Sequence, residues 1–275
     1  MALYIRTNVA SLEAQRHLSG TQSEMAKSFQ RLSSGYRING AADDAAGLGI
    51  SESMNSQVRS YAVAERNAND GISMAEAADG AAGQISGLLT RMRELAVQSS
   101  NGSLQSSDRT NLNTEFSSLS SEIDRIASVT KFNGQALLSG TSTTTNFQVG
   151  IGTSANDQVS IVFGGVSVSS LGVSGSAVDT VAHAQSAITA IDSAISNLST
   201  TREGFGSGIN RMQASVANLQ SMRTNLSAAY SRIEDVDVAE ETASLARTQV
   251  LAQAGAAVLT QANQSPQLAL SLLRG

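Results

Sequence analysis

The chain has 275 residues, 41% of them hydrophobic and only 4% aromatic, with 18 basic and 23 acidic residues for a net charge of −5. That length admits one large domain or two small ones, and the apolar mass is Ala, Leu, Ile and Val, the side chains that helix–helix packing uses. The acidic balance without a basic block argues against a nucleic-acid binder, the lack of cysteine excludes disulfides and thiolate metal sites, and no stretch approaches the ~20 apolar residues of a membrane span. A single proline, Pro266, leaves almost the whole chain free to form helix. The opening MALYIRTNVASLEAQRHL carries charges and amides where a cleaved secretory peptide needs an apolar core.

Residues 5–34 read as a first helix, with Val9, Leu12, Leu18, Met25, Phe29 and Leu32 in heptad-like spacing and Gln22 filling one slot of a narrow stripe. Gly35, Asn39 and Gly40 break it, and Asp43 or Asp44 is placed to cap the next helix. That helix spans about 45–99. Met54, Val58, Tyr61, Ala68, Ile72 and Ala75 share one face, and after a phase shift Ala78, Ala82, Ile85, Leu89, Met92 and Ala96 continue it. Asn101 and Gly102 end it. Ser107 or Asp108 caps a third helix carrying Leu112, Phe116, Leu119, Ile123 and Ile126, and Asn133 and Gly134 close that one. Between 139 and 176 the composition turns to Gly, Ser, Thr and Val and the period falls to two. Phe147, Val149 and Ile151 alternate, then Val159, Ile161 and Phe163, which predicts a β-hairpin, with Gly164 and Gly165 allowing a further turn.

The chain is organised around residues 181–233. From Val181 the seam steps by three and four through Ala184, Ile188, Ile191, Ile195, Leu198, Arg202, Phe205, Ile209, Met212, Val216, Leu219, Arg223, Leu226, Tyr230 and Ile233 without slipping, the repeat that lets helices wind round each other. Such a helix is ~80 Å long, whereas a globule of this length is about 50 Å across. The expectation is therefore a mainly α protein, an elongated rod of long antiparallel coiled-coil helices with a small β-hairpin. The glycines of EGFGSG predict a bend near Gly206. The acidic run Glu234, Asp235, Asp237 marks a break before a last, Ala-rich helix at about 238–262, with Pro266 just past its end. The expected divisions are 1–43, 44–140, 141–177, 178–235 and 236–275.

Little here carries chemistry. The pairs Asp43/Asp44 and Asp235/Asp237 stand before predicted helices, where capping explains them better than acid–base work or cation binding. His17 and His183 form no metal-ligand pattern, no glycine run has a phosphate-loop setting, and no serine has a nucleophile-elbow context. The reading is no enzyme, no cofactor and no metal. Arg202 and Arg223 interrupt the seam, and each is expected to reach a carboxylate across the bundle or at a contact between subunits.

Several segments carry a family resemblance. RLSSGYRINGAADDAAGLGIS, AERNANDGISMAEAADGA, LLTRMRELAVQSSNG and DRIASVTKFNGQALL resemble the N-terminal half of bacterial flagellin, and SRIEDVDVAEETASLARTQVLAQAGAAVLTQANQSPQLALSLL resembles its C-terminal end. The resemblance covers about 1–140 and 178–275, leaving a short middle without the outer variable domains. The family's usual Leu-Gly-Ala before Gln-Asn-Arg-Leu stands here as GFGSGINRM. The resemblance implies a structural subunit exported unfolded through the flagellar type III channel, helped by an export chaperone, and polymerised under a cap into the extracellular filament. The alternative of the same export class is a hook–filament junction protein. It also implies, for the innate receptor that senses flagellin, a recognition site at Arg91, Leu95 and Glu115, of which Arg91 and Leu95, four apart, are expected to face the same way. Neither membrane insertion nor nucleic acid is implied. Residues 1 to about 42, with a narrow stripe, and about 237 to 275, mostly alanine methyls, are expected to be largely disordered in the monomer and to become helical on polymerisation.

Overall fold

Runs rich in helix-forming residues make the long helices of the computed structural model, which describes residues 7–274, with side chains as far as 264. The elements are α1 (Val9–Ser34), α2 (Ala45–Ser99), α3 (Ser106–Val129), β1 (Lys131–Phe132), β2 (Gln135–Ala136), β3 (Thr143–Gln148), β4 (Gln158–Phe163), α4 (Val181–Glu234) and α5 (Val238–Arg274). They divide into two compact units, Gln57–Thr224 and Met1–Ser56 with Asn225–Gly275. The boundaries fall inside α2 and α4.

In the unit Gln57–Thr224, α2 buries Ala64, Ala68, Gly71, Ala75, Ala78, Ala82, Ile85, Leu89, Met92, Ala96 and Ser99, a step of four and three that never slips. The expected phase shift after Ala75 is absent because Gly71, rather than Ile72, holds the seam position. A Cβ on Gly71 would stand 2.7 Å from Met212 Sδ and 2.9 Å from Phe147 Cδ1, so the missing side chain is a notch that its neighbours fill. Along α4, Ala184, Ile191, Leu198, Phe205, Met212 and Leu219 are buried at every seventh residue. Asp79 pairs with Arg202, and Arg93 with Asp192, so α2 and α4 run antiparallel. α3 folds back on α2 through Phe116, Ile123 and Ala127, all buried. Its expected cap, Asp108, stands inside the first turn, where Oδ2 accepts from Gln105 N at 3.2 Å.

α4 is continuous through Gly204, Gly206 and Gly208. Gly208 is buried, and a Cβ there would lie 2.6 Å from Ile161 Cγ1, so this glycine lets β4 sit close against the helix. The strands β3 and β4 pair antiparallel with Phe147 opposite Val159 and Thr143 opposite Phe163. Val159, Ile161 and Phe163 face inward, and the Phe163 ring stacks on Phe205 with centroids 5.5 Å apart. β3 starts earlier than its apolar alternation suggested, in the polar run from Thr143, and Ile151 lies beyond its end with 42% exposure. Pairing with β4, rather than side-chain alternation, sets its extent. Asn133 and Gly134, expected as a helix end, both have positive φ and form the two-residue turn of the small hairpin β1–β2. The valine-bearing loop 164–180 is part of the core: Val166, Val168, Leu171, Val173 and Val178 are buried, Asn113 accepts from Val178 N, and Asp124 accepts from Val168 N.

The second unit holds α1 and α5. They are antiparallel, since Ser11 bonds Asn263 and Arg31 pairs with Glu241. α5 does not stop before Pro266 but runs on to Arg274. Proline in a helix interior removes one donor, and the carbonyl it leaves open at Ala262 is bonded from α1.

Candidate self-assembly surface

The loops around α1 and α5 use their carboxylates as caps and ties. Asp44 Oδ1 accepts from Gly47 N at 2.8 Å and caps α2, while Asp237 Oδ1 accepts from Ala239 N and Glu240 N at 2.9 and 3.2 Å and caps α5. Asp43 accepts from Lys27 Nζ at 2.7 Å and from Asn39 N at 3.1 Å, and the Lys27 hydrogen bond above all lowers its pKa. The chain leaving α1 is laced to the end of α4: Arg37 N donates to Glu234 O at 2.6 Å, Val236 N to Gly35 O at 3.0 Å, and the Arg37 guanidinium to Ile233 O at 2.7 Å.

Between these ties the two helices meet on small and polar faces. The α1 residues turned toward α5 are Ser11, Ala14, Leu18, Thr21, Met25, Ser28 and Leu32, and those of α5 are Glu241, Leu245, Thr248, Ala252, Gly255, Leu259 and Ala262. Only Ser11, Ser28 and Thr248 among them are fully buried. Other large residues point away from the pair. Val9, Leu12 and Phe29 of α1 and Val238, Val250, Leu251 and Val258 of α5 are 50–64% exposed. The expected stripe thus splits: Leu18, Met25 and Leu32 face the partner helix, Val9, Leu12 and Phe29 face out, and Gln22 is exposed while Thr21 takes the inward position. Two faces of one helix were merged in the sequence because both bear apolar residues at helical spacing.

The seam arginines end on carboxylates. Arg202 Nε and Nη2 donate to the two oxygens of Asp79 at 2.7 and 3.3 Å, and Arg223 Nη1 donates to Glu65 Oε2 at 2.6 Å, while Gln220 donates to the other Glu65 oxygen at 2.8 Å. The Arg202 and Asp79 side chains are 41% and 37% exposed, so this pair is largely solvated, whereas Glu65 is only 16% exposed. The surface trio divides. Arg91 donates to Glu115 Oε1 at 2.9 Å and to Glu94 at 2.9 Å on the exterior, but Leu95 is 1% exposed and belongs to the core beneath them. A spacing of four places Arg91 and Leu95 on neighbouring slopes of the helix, and the core covers only Leu95.

Among the described residues, no group of three or more His, Cys, Asp or Glu side chains could hold a metal ion, and no helix is long and apolar enough to cross a membrane. What the second unit offers is a pair of helices with their larger apolar side chains unburied.

The family models for the bacterial flagellin N-terminal and C-terminal helical regions match residues 5–143 and 188–273. A flagellin of Halalkalibacterium halodurans is 43% identical over 274 residues, spanning 99% of this chain and 100% of that protein. The chain belongs to the bacterial flagellin family. The flagellar filament 33 kDa core protein of Treponema phagedenis is 37% identical across 99% of the chain. A flagellar hook-associated protein structure from Vibrio parahaemolyticus covers 70% of the chain with a TM-score of 0.59 at 15% identity, a likeness of fold alone. This flagellin is a non-enzymatic structural subunit that self-polymerises into the flagellar filament, which lies outside the cell. Family membership favours the filament subunit over the junction protein.

Proposed function

We propose that this flagellin polymerises through the apolar side chains that α1 and α5 turn outward, each covered in the filament by neighbouring copies. The exposure of Val9, Leu12, Phe29, Val250, Leu251 and Val258 carries this reading. Fully burying such a side chain is worth roughly 1.5–3 kcal/mol, and these are about half covered already, so each would contribute on the order of 1 kcal/mol per subunit. That burial adds to what the half-buried face between the two helices supplies. Replacing Leu12 and Leu251 together with serine is expected to leave the subunit soluble and unable to extend filament seeds, as read by sedimentation. Normal seeded growth would refute the assignment.

The same reading takes the chain through the flagellar type III channel unfolded, with an export chaperone and the filament cap as partners. Its support is the family membership. Retention of the chain inside cells that lack the channel is the expected result, and undiminished secretion would contradict it.

For the host receptor that senses flagellins, the surface on offer is the Arg91–Glu115 pair with Leu95 shaping the helix from below. Arg91→Ala is expected to weaken activation by monomer in a reporter-cell titration. Equal activity of variant and parent would leave the pair a purely intramolecular tie.

A further inference from the structure

In an α-helix the carbonyl of residue 262 accepts from the N–H of residue 266. Residue 266 is proline and has no N–H, yet α5 continues through it. The open Ala262 carbonyl is met by α1: Asn8 Nδ2 donates to it at 2.8 Å. Asn8 Oδ1 meanwhile accepts from Ser11 N at 3.1 Å and caps α1. Both ends of one amide are used, and the capping bond dictates which end faces α5. One turn on, Ser11 Oγ donates to Asn263 Oδ1 at 2.8 Å, and Ser11 is buried.

Along the rest of the described pair, small facing residues such as Ala14 and Ala252 alternate with Leu18, Met25, Leu32, Leu245 and Leu259, none of them fully buried, and Leu18 lies over Gly255. Half-covered apolar contacts of this kind discriminate against a slip of one turn less sharply than a directional hydrogen bond does. A directional bond to a carbonyl that is open at one place only specifies the register strongly. We propose that Asn8 and Pro266 are a matched pair that sets the register of α1 against α5, and that Asn8 is thereby a positioning residue for filament assembly. Pro266 opens one acceptor, Asn8 supplies the one donor, and in that register Leu12 and Val258 come to their places on the outward surface. The inference rests on the assembly surface proposed above.

Asn8→Asp separates the two jobs of the side chain, because aspartate caps a helix as well as asparagine but its carboxylate cannot donate to a carbonyl at neutral pH. The measurement is the subunit concentration in equilibrium with filaments of the full chain. Asn8→Asp is expected to raise it about fivefold or more, the effect of losing one hydrogen bond and leaving an acceptor open. In a Pro266→Ala background, where the restored N–H occupies the Ala262 carbonyl, the same change is expected to have much less effect. Should Asn8→Asp not polymerise at all, filament formation by the double variant is the corresponding rescue. Equal losses in both backgrounds, polymerisation in neither, or no loss in the parent background would overturn the pairing. None of these outcomes bears on the Leu12 and Leu251 test, so failure of the register and failure of the surface are distinguishable.

Discussion

The two units of this flagellin place their large apolar side chains differently. In Gln57–Thr224 the large apolar side chains Phe116, Phe205, Ile85, Leu89 and Met92 are inside and form one continuous core with the hairpin and the valine loop. Along α1 and α5 the fully buried residues, among those described, are Ser11, Ser28 and Thr248, and Leu12, Phe29 and Val250 are outside. Ordering a residue costs roughly 1–2 kcal/mol of backbone entropy, which burial must offset. The first unit meets that cost within one chain. The second carries the means to meet it on its outer surface, where only another molecule can use it. A polymer subunit is served by this division, since one part must hold its shape during assembly while the other must not consume its apolar surface beforehand.

The comparison breaks most plainly by removing one side of it. Deleting residues 237–275 is expected to abolish filament growth while leaving the thermal unfolding of the Gln57–Thr224 unit unmoved. A large drop in that transition would mean the units depend on each other for stability.

Inside the core unit, Phe205→Ala removes a fully buried ring stacked on Phe163. It should cost about 3–5 kcal/mol in a urea melt. Phe29→Ala, its counterpart in the α1–α5 pair, should hardly move the monomer melt yet weaken seeded growth, and similar monomer costs for both would erase the distinction.

The seam arginines test a smaller effect. Arg223→Ala leaves Glu65, mostly covered and also bonded by Gln220, with half its partners and is expected to cost ~1 kcal/mol in the monomer. Arg202→Ala, at a more solvated pair, is expected to cost less, within ~1 kcal/mol. The reverse order would show that exposure does not rank these pairs.

The smallest effect concerns pH. The Asp43 pKa is lowered in the folded chain, chiefly by Lys27, so the stability from this tie is fully present above the ordinary carboxyl value of 3.8 and is lost as pH falls through the lower folded value. Asp43→Asn should remove that acid dependence from the attachment of α1, as followed by exchange of the Asn39 amide, and leave the core unit's acid response as it was.

Much of this was legible before the structure, because a seven-residue repeat exposes itself wherever its members have side chains. The α4 seam from Ala184 to Leu219 lies where the spacing put it. What escaped was written in residues that lack a side chain to count or carry two meanings. Gly71 and Gly208 are seam and contact positions whose content comes from Met212, Phe147 and Ile161. Asn133-Gly134 ends a helix or turns a hairpin with equal sequence support, and the neighbouring strands decide. In α1 the inward and outward faces both hold apolar residues, and only the partner helix says which is which. Pro266 read as a terminator because its rescue by Asn8 spans nearly the whole chain. Of Arg91, Leu95 and Glu115, chemistry put Arg91 and Glu115 at the surface, but the burial of Leu95 comes from tertiary packing, which spacing along α2 alone does not reveal.

Amide hydrogen exchange, measured residue by residue on monomer and on filament, bears most directly on whether the α1–α5 pair is completed by other copies. The account predicts fast exchange across residues 9–34 and 238–262 in the monomer, strong protection of the same amides in the filament, and protection of the Ala64 to Ser99 seam in both. Strong protection of residues 9–34 in the monomer, before any polymerisation, would contradict it.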